Sequence, residues 1–459
     1  MFKQYLLSDV MLLIIAISGC APQRTDPPWP TPRPLGRNFT AYQVPDRPSR
    51  NPWDEPSIAE PTGVVTLPQA LAYALLHNPE LAVHAWEIRI SEAKELQASL
   101  LSNPEIDIEV EEIGGRGGRK GFKAAETTLQ LSQLIELGNK RSRRMRIASL
   151  QNQLVGWDYE AKRLDVFTQV ANAFVDVLAA QRQLELTEEQ VRFSEDVLST
   201  VAQRVEAGKD SPVEKSKAQV VLSTVRIEQK QAHQDLESAR KRLAASWGSK
   251  SIGFEQVVGQ FDKVVPVPTE NQLLDLLTPN PEIARWAVEM EQRHAELALE
   301  KSKAISDPSV RGGIQRFNET DDTSFVFGFS IPLPIFDRNQ GDVLSAKYNI
   351  AKAQEQRRAV ELAVYTAVIN TYQALSRAYT EVTDLKNEVL PGAQDAFEAI
   401  TEGYRQGKFN YLNVLDTQQW LFEAKRKYLK SLAAYHKNRI EMERLIGQEI
   451  NAITEIPKP

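Results

Sequence analysis

Two kinds of hydrophobic pattern divide the sequence into short strands and much longer helices. In residues 106–111 apolar side chains alternate strictly with acids, which is typical of a strand with one wet face. Residues 324–331 place Phe325, Phe327 and Phe329 together on one face. The four predicted strands cover residues 106–111, 127–132, 309–317 and 324–331, of which 309–317 alternates least.

Four long helices are predicted, the first from apolar residues that recur every three or four positions. At 1.5 Å per residue this helix spans about 100 Å. Pro391 is predicted to kink its counterpart in the second half of the chain. The helices of each pair run back antiparallel after a tight turn at Gly208 or Gly407, since the residue after a helix end is often left-handed. They cover residues 140–206, 212–247, 341–406 and 411–445.

An internal repeat is indicated by four pairs of landmarks that recur in the same order, with offsets of 202, 204, 199 and 199 residues. Each unit contains a short helix, an Asn-Pro turn, a second helix, two strands and two long helices. The landmarks are Asn78-Pro79 with Asn280-Pro281, Asn103-Pro104 with Asp307-Pro308, Gly208-Lys209 with Gly407-Lys408, and Trp247-Gly248 with Ile446-Gly447.

The landmarks divide the chain into six segments. We predict a signal peptide (1–19), a lipid-anchored Pro-rich tether (20–62), a first repeat (63–248), a linker or equatorial segment (249–269), a second repeat (270–450) and a C-terminal tail (451–459). The shorter helices of the two repeats are predicted over residues 67–77, 80–101, 272–278 and 282–305.

The N-terminus has the features of a secretory signal peptide: Lys3 precedes an apolar stretch over residues 10–17. The following Ile17-Ser18-Gly19-Cys20 resembles a bacterial lipobox, in which Cys20 is acylated, for example with palmitate, after cleavage. Ala21 resembles the default for outer-membrane sorting. The alternative is a buried, inert cysteine after an uncleaved helix. Because Cys20 is the only cysteine, no disulfide can form within one mature chain.

Composition excludes several classes of protein. Charged residues make up 25% and hydrophobic residues 42% of the 459 residues, which is normal for a folded chain. A net charge of −6 disfavours a general nucleic-acid binder, and the basic cluster at residues 140–146 is more often a solvated helix start. After the first 20 or so residues no apolar run reaches the roughly 18 residues of a transmembrane helix, so a polytopic helical membrane protein is excluded.

The predicted strands have the length that a tilted strand needs to cross a membrane. The face with Phe325, Phe327 and Phe329 would meet lipid, and the acids of residues 106–111 would meet water. Four strands cannot close a barrel, and an open edge in lipid leaves backbone groups unpaired. Several chains must therefore share one barrel, which the long helices would continue as a cylinder.

The duplicated unit, the lipobox and residues 329–341 resemble the TolC-type outer-membrane factor family. The run Pro332-Leu333-Pro334-Ile335-Phe336-Asp337-Arg338-Asn339-Gln340-Gly341 is especially similar to the CzcC-like branch associated with heavy-metal efflux. The resemblance covers roughly Thr66 to Gly447. It implies a mainly α fold with a small transmembrane β part, in which a homotrimer shares a twelve-stranded β-barrel continued by a periplasmic helical tunnel.

The same resemblance implies a passive conduit in the outer membrane, extending into the periplasm, that serves a tripartite (RND-type) efflux system. Its partners would be a periplasmic adaptor, an inner-membrane pump and outer-membrane lipid, and its cargo heavy-metal cations. Drugs or other small molecules as cargo, or a type I secretion duct, are alternatives. Two further hypotheses assign the protein to other functional classes: a structural coiled-coil periplasmic lipoprotein and a secreted enzyme.

In the family the helix–helix turns form the periplasmic tip, and acids beyond them narrow the tunnel. The resemblance assigns Glu214 and Asp416 to this gate, whereas Asn413 stands where a second acid is often found. Phe409 replaces a basic gate residue, so the family's ion pairs are not expected. Alternatively, both acids are ordinary solvated charges or complement the helix dipole. The expected adaptor-docking residues are Gly208, Lys209, Gly407 and Lys408.

Catalytic motifs are missing from the sequence, so neither an enzyme nor a cofactor is expected. His77 and His84 are seven residues apart, but Asn78-Pro79 separates them, and no metal site is expected there. The glycine-rich stretch 114–121 lies between two strands and is predicted to be a hairpin loop rather than a phosphate loop. Its basic residues would face the cell exterior near lipopolysaccharide phosphates; they are Arg116, Arg119 and Lys120.

Overall fold

The computed structural model describes residues 61–276 and 280–450. The chain divides into two units, residues 1–54 and 55–459, and every described residue belongs to the second. The predicted signal peptide, Cys20, nearly all of the tether and the tail at 451–459 lie outside the described residues.

Apart from β1 in the first repeat and a π-helical interruption in the second, the described elements follow one order in both repeats. The first repeat contains β1 (Gly63–Thr66), α1 (Leu67–His77), α2 (Pro79–Ser99), β2 (Glu105–Glu111), β3 (Glu126–Leu134), α3 (Lys140–Glu206) and α4 (Pro212–Ala245). The strand β4 (Phe254–Val258) follows it. The second repeat contains α5 (Glu270–Leu274), α6 (Pro281–Lys303), β5 (Ser309–Phe317), β6 (Asp322–Ser330), α7 (Gln340–Asp384), a π-helical segment (Leu385–Val389), α8 (Leu390–Arg405) and α9 (Tyr411–Ile446).

The Asn-Pro turns perform the same task in each repeat. The side chain of Asn78 accepts a bond from the Leu81 N–H (2.9 Å), caps α2, and donates to the Ser246 carbonyl at the end of α4 (2.8 Å). Asn280 caps α6 and donates to the Leu445 carbonyl at the end of α9 (2.8 Å). The repeat landmark is therefore a cap that also joins the second and last helices of its unit.

A further pair of equivalent residues lies where the strands give way to the long helices. Asn139 and Asn339 precede α3 and α7 in the left-handed conformation, with φ of 58° and 59°. Asparagine tolerates this conformation better than most residues. The carboxylate of Asp307 braces the first junction: it accepts from the Leu137 N–H at 2.8 Å and pairs with Lys140 at 2.7 Å.

The hydrophobic core runs along the helices. Helix α3 packs against α2, α4, α6 and α9, and α9 also packs against α7 and α8. One buried cluster includes Leu375 on α7 and Leu432 and Met442 on α9. Phe261, from the segment that joins the repeats, and Leu273 on α5 belong to the same cluster.

The sheet that joins the two repeats has the strand order β2-β3-β5-β6 and is antiparallel throughout. The central pair, β3 with β5, brings together one strand from each repeat. Among the described residues, the outer edges of β2 and β6 have no strand partner. A separate two-stranded sheet pairs β1 with β4 in parallel.

The expected fold class, mainly α with a small β part in a duplicated unit, is confirmed. The bounds of α3 agree with the prediction, and β5 covers the weakly alternating segment 309–317. Just before Pro391, where a kink was expected, the structure has the π-helical segment, which interrupts a helix predicted as continuous from 341 to 406. The parallel β1–β4 pair was not predicted, and β4 lies within the segment interpreted as a linker.

Candidate functional site

The turn between α3 and α4 is a Schellman motif. Gly208 has a φ of 67°, and its N–H donates to the Val205 carbonyl at 3.0 Å. The Lys209 N–H donates to the Arg204 carbonyl at 2.8 Å. These two bonds satisfy carbonyl groups at the end of α3 that have no partner within the helix.

The turn between α8 and α9 repeats this geometry. Gly407 has a φ of 78° and donates to the Tyr404 carbonyl at 3.0 Å, and the Lys408 N–H donates to the Gly403 carbonyl at 2.8 Å. The ring of Phe409, the residue that stands where a basic gate residue was considered, lies so close to Gly403 that a β-carbon there would overlap it. The Phe409 ring therefore packs against the end of α8, the helix that precedes the turn.

A charged link joins the two turns. Arg204 forms a bidentate pair with Asp210, with Nε–Oδ2 and guanidinium–Oδ1 distances of 2.7 and 3.1 Å. The Tyr404 hydroxyl donates to the same Asp210 carboxylate at 2.7 Å. Arg204 also donates to the Tyr404 carbonyl at 3.1 Å and lies over the Tyr404 ring, 4.6 Å from its centroid. These three residues form what we call the tip link.

The electrostatics of the tip link follow from this geometry. The hydrogen bonds from Arg204 hold the pKa of Asp210 below its ordinary value. Burial raises the pKa of Tyr404, which is only 2% exposed, and the bond to Asp210 raises it further. At neutral pH Asp210 is therefore ionised and Tyr404 keeps its proton, so every bond of the link has its donor and its acceptor.

A small hydrophobic cluster supports the tip link. Val197 and Val201 on α3, Ala218 on α4, Tyr404 on α8, and Tyr411 and Val414 on α9 are its buried members. Burial raises the pKa of Tyr411, and the charge of Glu214 adds to that increase. The cluster brings together all four helices that end at the two turns.

The structure places the two expected gate acids differently. Glu214 is half-buried at the edge of the tip cluster, where its charge acts on Tyr404 and Tyr411. Asp416 is exposed on α9, between Leu412 and Trp420 on one helix face, and both of these neighbours are exposed as well. Glu214 thus borders the link between the hairpins, whereas Asp416 belongs to a face without a partner in the described part of the chain.

Sequence reasoning missed the residues that link the hairpins. Arg204 and Asp210 are six residues apart, a spacing that carries no signal in a straight helix. In a Schellman turn the chain reverses between them, so the arginine of the last helical turn can reach an acid just beyond the glycine. The Arg204–Asp210 pair could therefore have been predicted from the turn at Gly208. The contact with Tyr404 could not, because Tyr404 lies far away in the sequence and is brought to the pair only by folding.

The four-stranded sheet has one apolar face. Phe325, Phe327 and Phe329 are 79%, 84% and 65% exposed. The register places Phe325 beside Ile314, Leu129 and Ile108, and Phe327 beside Gly312, Leu131 and Ile106. Residues paired across antiparallel strands point to the same side, so the exposed apolar face extends across all four strands. Apart from glycine it is formed in these two rows by Ile106, Ile108, Leu129, Leu131, Ile314, Phe325 and Phe327.

The opposite face of the sheet is mostly polar. Glu109 is paired with Thr128, Gln315 and Ser324 across the strands, and Asp107 with Gln130. The alternation read from residues 106–111 is therefore the real alternation of β2. A sheet with such different faces fits a boundary between an apolar phase and water.

Over residues 61–276 and 280–450, no group of three or more histidine, cysteine, aspartate or glutamate side chains is arranged to hold a metal ion. Among the described helices, none combines the length and the apolar character needed to cross a membrane.

Comparisons with known proteins agree with this architecture. The family model described as outer membrane efflux protein matches residues 70–249 and 275–448. The cobalt-zinc-cadmium resistance protein CzcC of Cupriavidus metallidurans is 34% identical over 389 residues, which cover 85% of this chain and 91% of CzcC. The nickel-cobalt-cadmium resistance protein NccC of Alcaligenes xylosoxydans xylosoxydans is 24% identical, over 65% of this chain and 66% of NccC.

A solved structure shares the fold. The crystal structure of the outer membrane protein VceC from Vibrio cholerae superposes with a TM-score of 0.70 at 16% identity, covering 83% of this chain and 96% of VceC. The resemblance to the TolC-type family and its CzcC-like branch is confirmed by the family match and by CzcC. The chain belongs to the outer membrane efflux protein family.

Proposed function

We propose that this protein is the outer-membrane channel of a tripartite efflux system that exports heavy-metal cations. The observation that carries the proposal is the four-stranded sheet: one face is apolar and exposed, and neither outer edge is paired in the described residues. A sheet of this kind is incomplete in lipid, because unpaired backbone groups there cost several kcal/mol each. Long helices continue from it on one side.

Closure of the sheet accounts for the trimer. The edge of β6 in one copy can pair with β2 of the next, because the two strands run in opposite directions at the two ends of the sheet. Three copies supply twelve strands, which is within the range of known membrane barrels. We propose three as the number because the resemblance to the TolC-type family implies a homotrimer.

The channel itself is passive. We propose that an inner-membrane pump supplies the energy and that a periplasmic adaptor docks at the two Schellman turns, on Gly208, Lys209, Gly407 and Lys408. Both turns are exposed. Glu214 and Asp416 are proposed to form acidic rings in the trimer at this end, and such rings attract cations. Cys20 is proposed to carry the lipid anchor.

The name of CzcC, which matches more of this chain than NccC does, suggests the cargo. CzcC is a cobalt-zinc-cadmium resistance protein, and this chain covers 91% of its length at 34% identity. We therefore infer divalent cations of this group as the cargo. The pump would select them, since the described residues of the channel contain no cluster of potential metal ligands.

Deletion of the gene in its host tests the proposal. We expect increased sensitivity to cobalt, zinc or cadmium, restored by the intact gene, with unchanged sensitivity to uncharged drugs. Light scattering of the purified protein, corrected for detergent, should give the mass of three chains. A strain that becomes sensitive to drugs alone would contradict the cargo, and a stable folded monomer would contradict the shared sheet.

A further inference from the structure

The loop between β2 and β3 is strongly basic. Residues 112–125, here called the basic loop, contain four basic side chains and one acid, Glu112. Arg119 pairs with Glu112 at 2.6 Å. Among the described residues no hydrogen bond or ion pair involves the side chain of Arg116, Lys120 or Lys123, and all three are exposed. Three cations are thus left without a partner in the described part of the chain.

The basic loop has a defined conformation. The Gly114 N–H donates to the Gly121 carbonyl at 3.0 Å, and a short 3-10 turn, Gly117–Arg119, lies between them. A β-carbon at Gly115 would lie 3.0 Å from the Arg119 β-carbon, closer than side chains normally pack. Gly114, Gly117 and Gly121 have φ near 70°. The glycines therefore allow a compact loop conformation in which the basic side chains are exposed. A flexible connection between two strands would not need such a conformation.

Apolar side chains accompany the cations. Phe122 is 72% exposed and Ile113 is 50% exposed. Exposed aromatic residues next to lysine and arginine are typical of the boundary between lipid tails and head groups. The loop also adjoins the sheet whose apolar face carries Phe325, Phe327 and Phe329.

The other loop at this end of the sheet has the opposite charge. The β5–β6 turn contains Glu319 and Asp321 and no basic residue, and Asp321 pairs with Arg316 of β5. The two loops are in contact, since the Asn318 side chain donates to the Phe122 carbonyl at 3.2 Å. Basic charge is therefore confined to one loop, as expected for a local binding surface rather than for a general property of this end.

We propose that the basic loop binds the phosphate groups of lipid A in the outer leaflet of the outer membrane. Arg116, Lys120 and Lys123 would pair with the phosphates, and Phe122 would lie among the acyl chains. The inference rests on the proposed function, because that function places the sheet in the outer membrane with the helices in the periplasm. Each basic residue at an anionic membrane surface contributes about fivefold in affinity, and three contribute about a hundredfold.

Lipid A binding to the full-length protein in neutral detergent tests the proposal. We would compare wild type with the triple variant Arg116→Gln, Lys120→Gln, Lys123→Gln by anisotropy of fluorescent lipid A. The matched control, Lys217→Gln, Lys230→Gln, Lys241→Gln, removes three exposed charges from α4. We expect the loop variant to bind about a hundredfold more weakly, the control to bind like wild type, and lipid A without phosphates to bind both proteins weakly.

Other outcomes would overturn the proposal. Equal binding by wild type and the loop variant would do so, and so would phosphatidylglycerol binding as tightly as lipid A. If the loop variant loses its oligomeric mass but its chains still bind lipid A, the cations contact the acidic turn of a neighbouring copy. If deletion of the gene leaves metal resistance unchanged while lipid A binding behaves as expected, the cargo and not the loop has been misassigned.

Discussion

The two long hairpins end in the same turn but differ in the helix that leads to it. In the first repeat α3 runs without interruption for 67 residues, from Lys140 to Glu206. In the second repeat the corresponding stretch is broken into α7, the π-helical segment Leu385–Val389 and α8. Duplication has therefore preserved the length of the hairpin and the geometry of its tip but not the continuity of the helix.

Pro391 explains the difference. It has no N–H, so it cannot complete the bond to the carbonyl four residues earlier, and its ring crowds that carbonyl. The π-helical segment directly before it widens the helix, and the Leu390 N–H donates to Leu385, five residues back. The second hairpin thus contains an interruption of its helix that the first does not. At the tip, the first hairpin supplies Arg204 and Asp210, and the second supplies Tyr404.

The largest effect is expected from giving the first hairpin the same proline. With the offset of 199 residues, Arg192 in α3 corresponds to Pro391, and its side chain is exposed. We expect Arg192→Pro to destabilise the protein by about 3 kcal/mol or more, because α3 has no π-helical segment to absorb the ring. The measurement is the melting temperature of the detergent-solubilised protein, followed by helical circular dichroism.

Two further variants make this test specific. Arg192→Ala should melt like wild type, which separates loss of the side chain from the effect of the ring. Pro391→Ala should leave the melting temperature unchanged or raise it, because it adds a backbone donor to the second hairpin. The difference between the hairpins would be refuted if Arg192→Pro were as well tolerated as Arg192→Ala.

A smaller effect is expected from cutting the tip link between the hairpins. Hydrogen bonds to a charged group contribute about 1.5–3 kcal/mol, so Tyr404→Phe or Asp210→Asn should favour separated hairpins by roughly tenfold to a hundredfold. We expect higher single-channel conductance in planar bilayers. Lys209→Gln, an exposed neighbour on the same turn, is the control and should conduct like wild type.

The pH dependence of the same measurement follows from the two pKa shifts. Asp210 has a lowered pKa, so its contribution is present above the ordinary value of 3.8 and is lost only as pH falls through the lowered one. Tyr404 has a raised pKa, so its contribution persists below the ordinary value of 10.0. Conductance controlled by the link should therefore stay constant between about pH 5 and 8. A step within that range would indicate that another group controls the tip.

The two turns offer a comparison in which equal effects are expected. A β-carbon at Gly208 or Gly407 would meet no atom within 4 Å, so Gly208→Val and Gly407→Val should introduce backbone strain alone. At positive φ this strain costs roughly 1–2 kcal/mol. Urea unfolding should give the same decrease for both variants. Efflux in cells should fall as well if the adaptor docks there, and unequal decreases would show that the turns are not equivalent.

The smallest expected effect concerns the two acids. In the trimer we expect Glu214→Gln combined with Asp416→Asn to reduce cation selectivity and to weaken block by divalent cations from the periplasmic side. Because Glu214 is half-buried and Asp416 is exposed, the single change at Asp416 should account for more of the block. Unchanged selectivity in an intact trimer would remove both residues from the pore.

Local signals in the sequence predicted most of the fold. Proline and glycine indicate where the helices end. Helices α2 and α6 each end five residues before a proline, Pro104 and Pro308 respectively, and α3 ends two residues before Gly208. Alternation gave the strands β2 and β6, and the repeat made β5 predictable despite its weak pattern. Each of these signals lies within a few residues of the structure that it predicts.

The missing parts depend on contacts between distant segments. The parallel β1–β4 pair joins residues about 190 positions apart, as in Val65 with Val257, and β4 is too short to show a period. The tip link needs Tyr404 of one repeat beside Arg204 of the other. A disturbance of the helix at Pro391 could be predicted from the proline alone. That it takes the form of a π-helical segment depends on how the helix packs.

The β3–β5 pair has a consequence for the ancestry of the fold. It joins two repeats inside one chain with the antiparallel geometry that β6 and β2 would need between two chains. A protein that consists of one repeat would already have the two strand edges that such a pair needs, since each repeat contributes one outer and one inner strand. Six such half-length proteins could close the same ring. Gene fusion would then have halved the number of subunits and let the two hairpins evolve separately, one with a continuous helix and one with an interrupted helix.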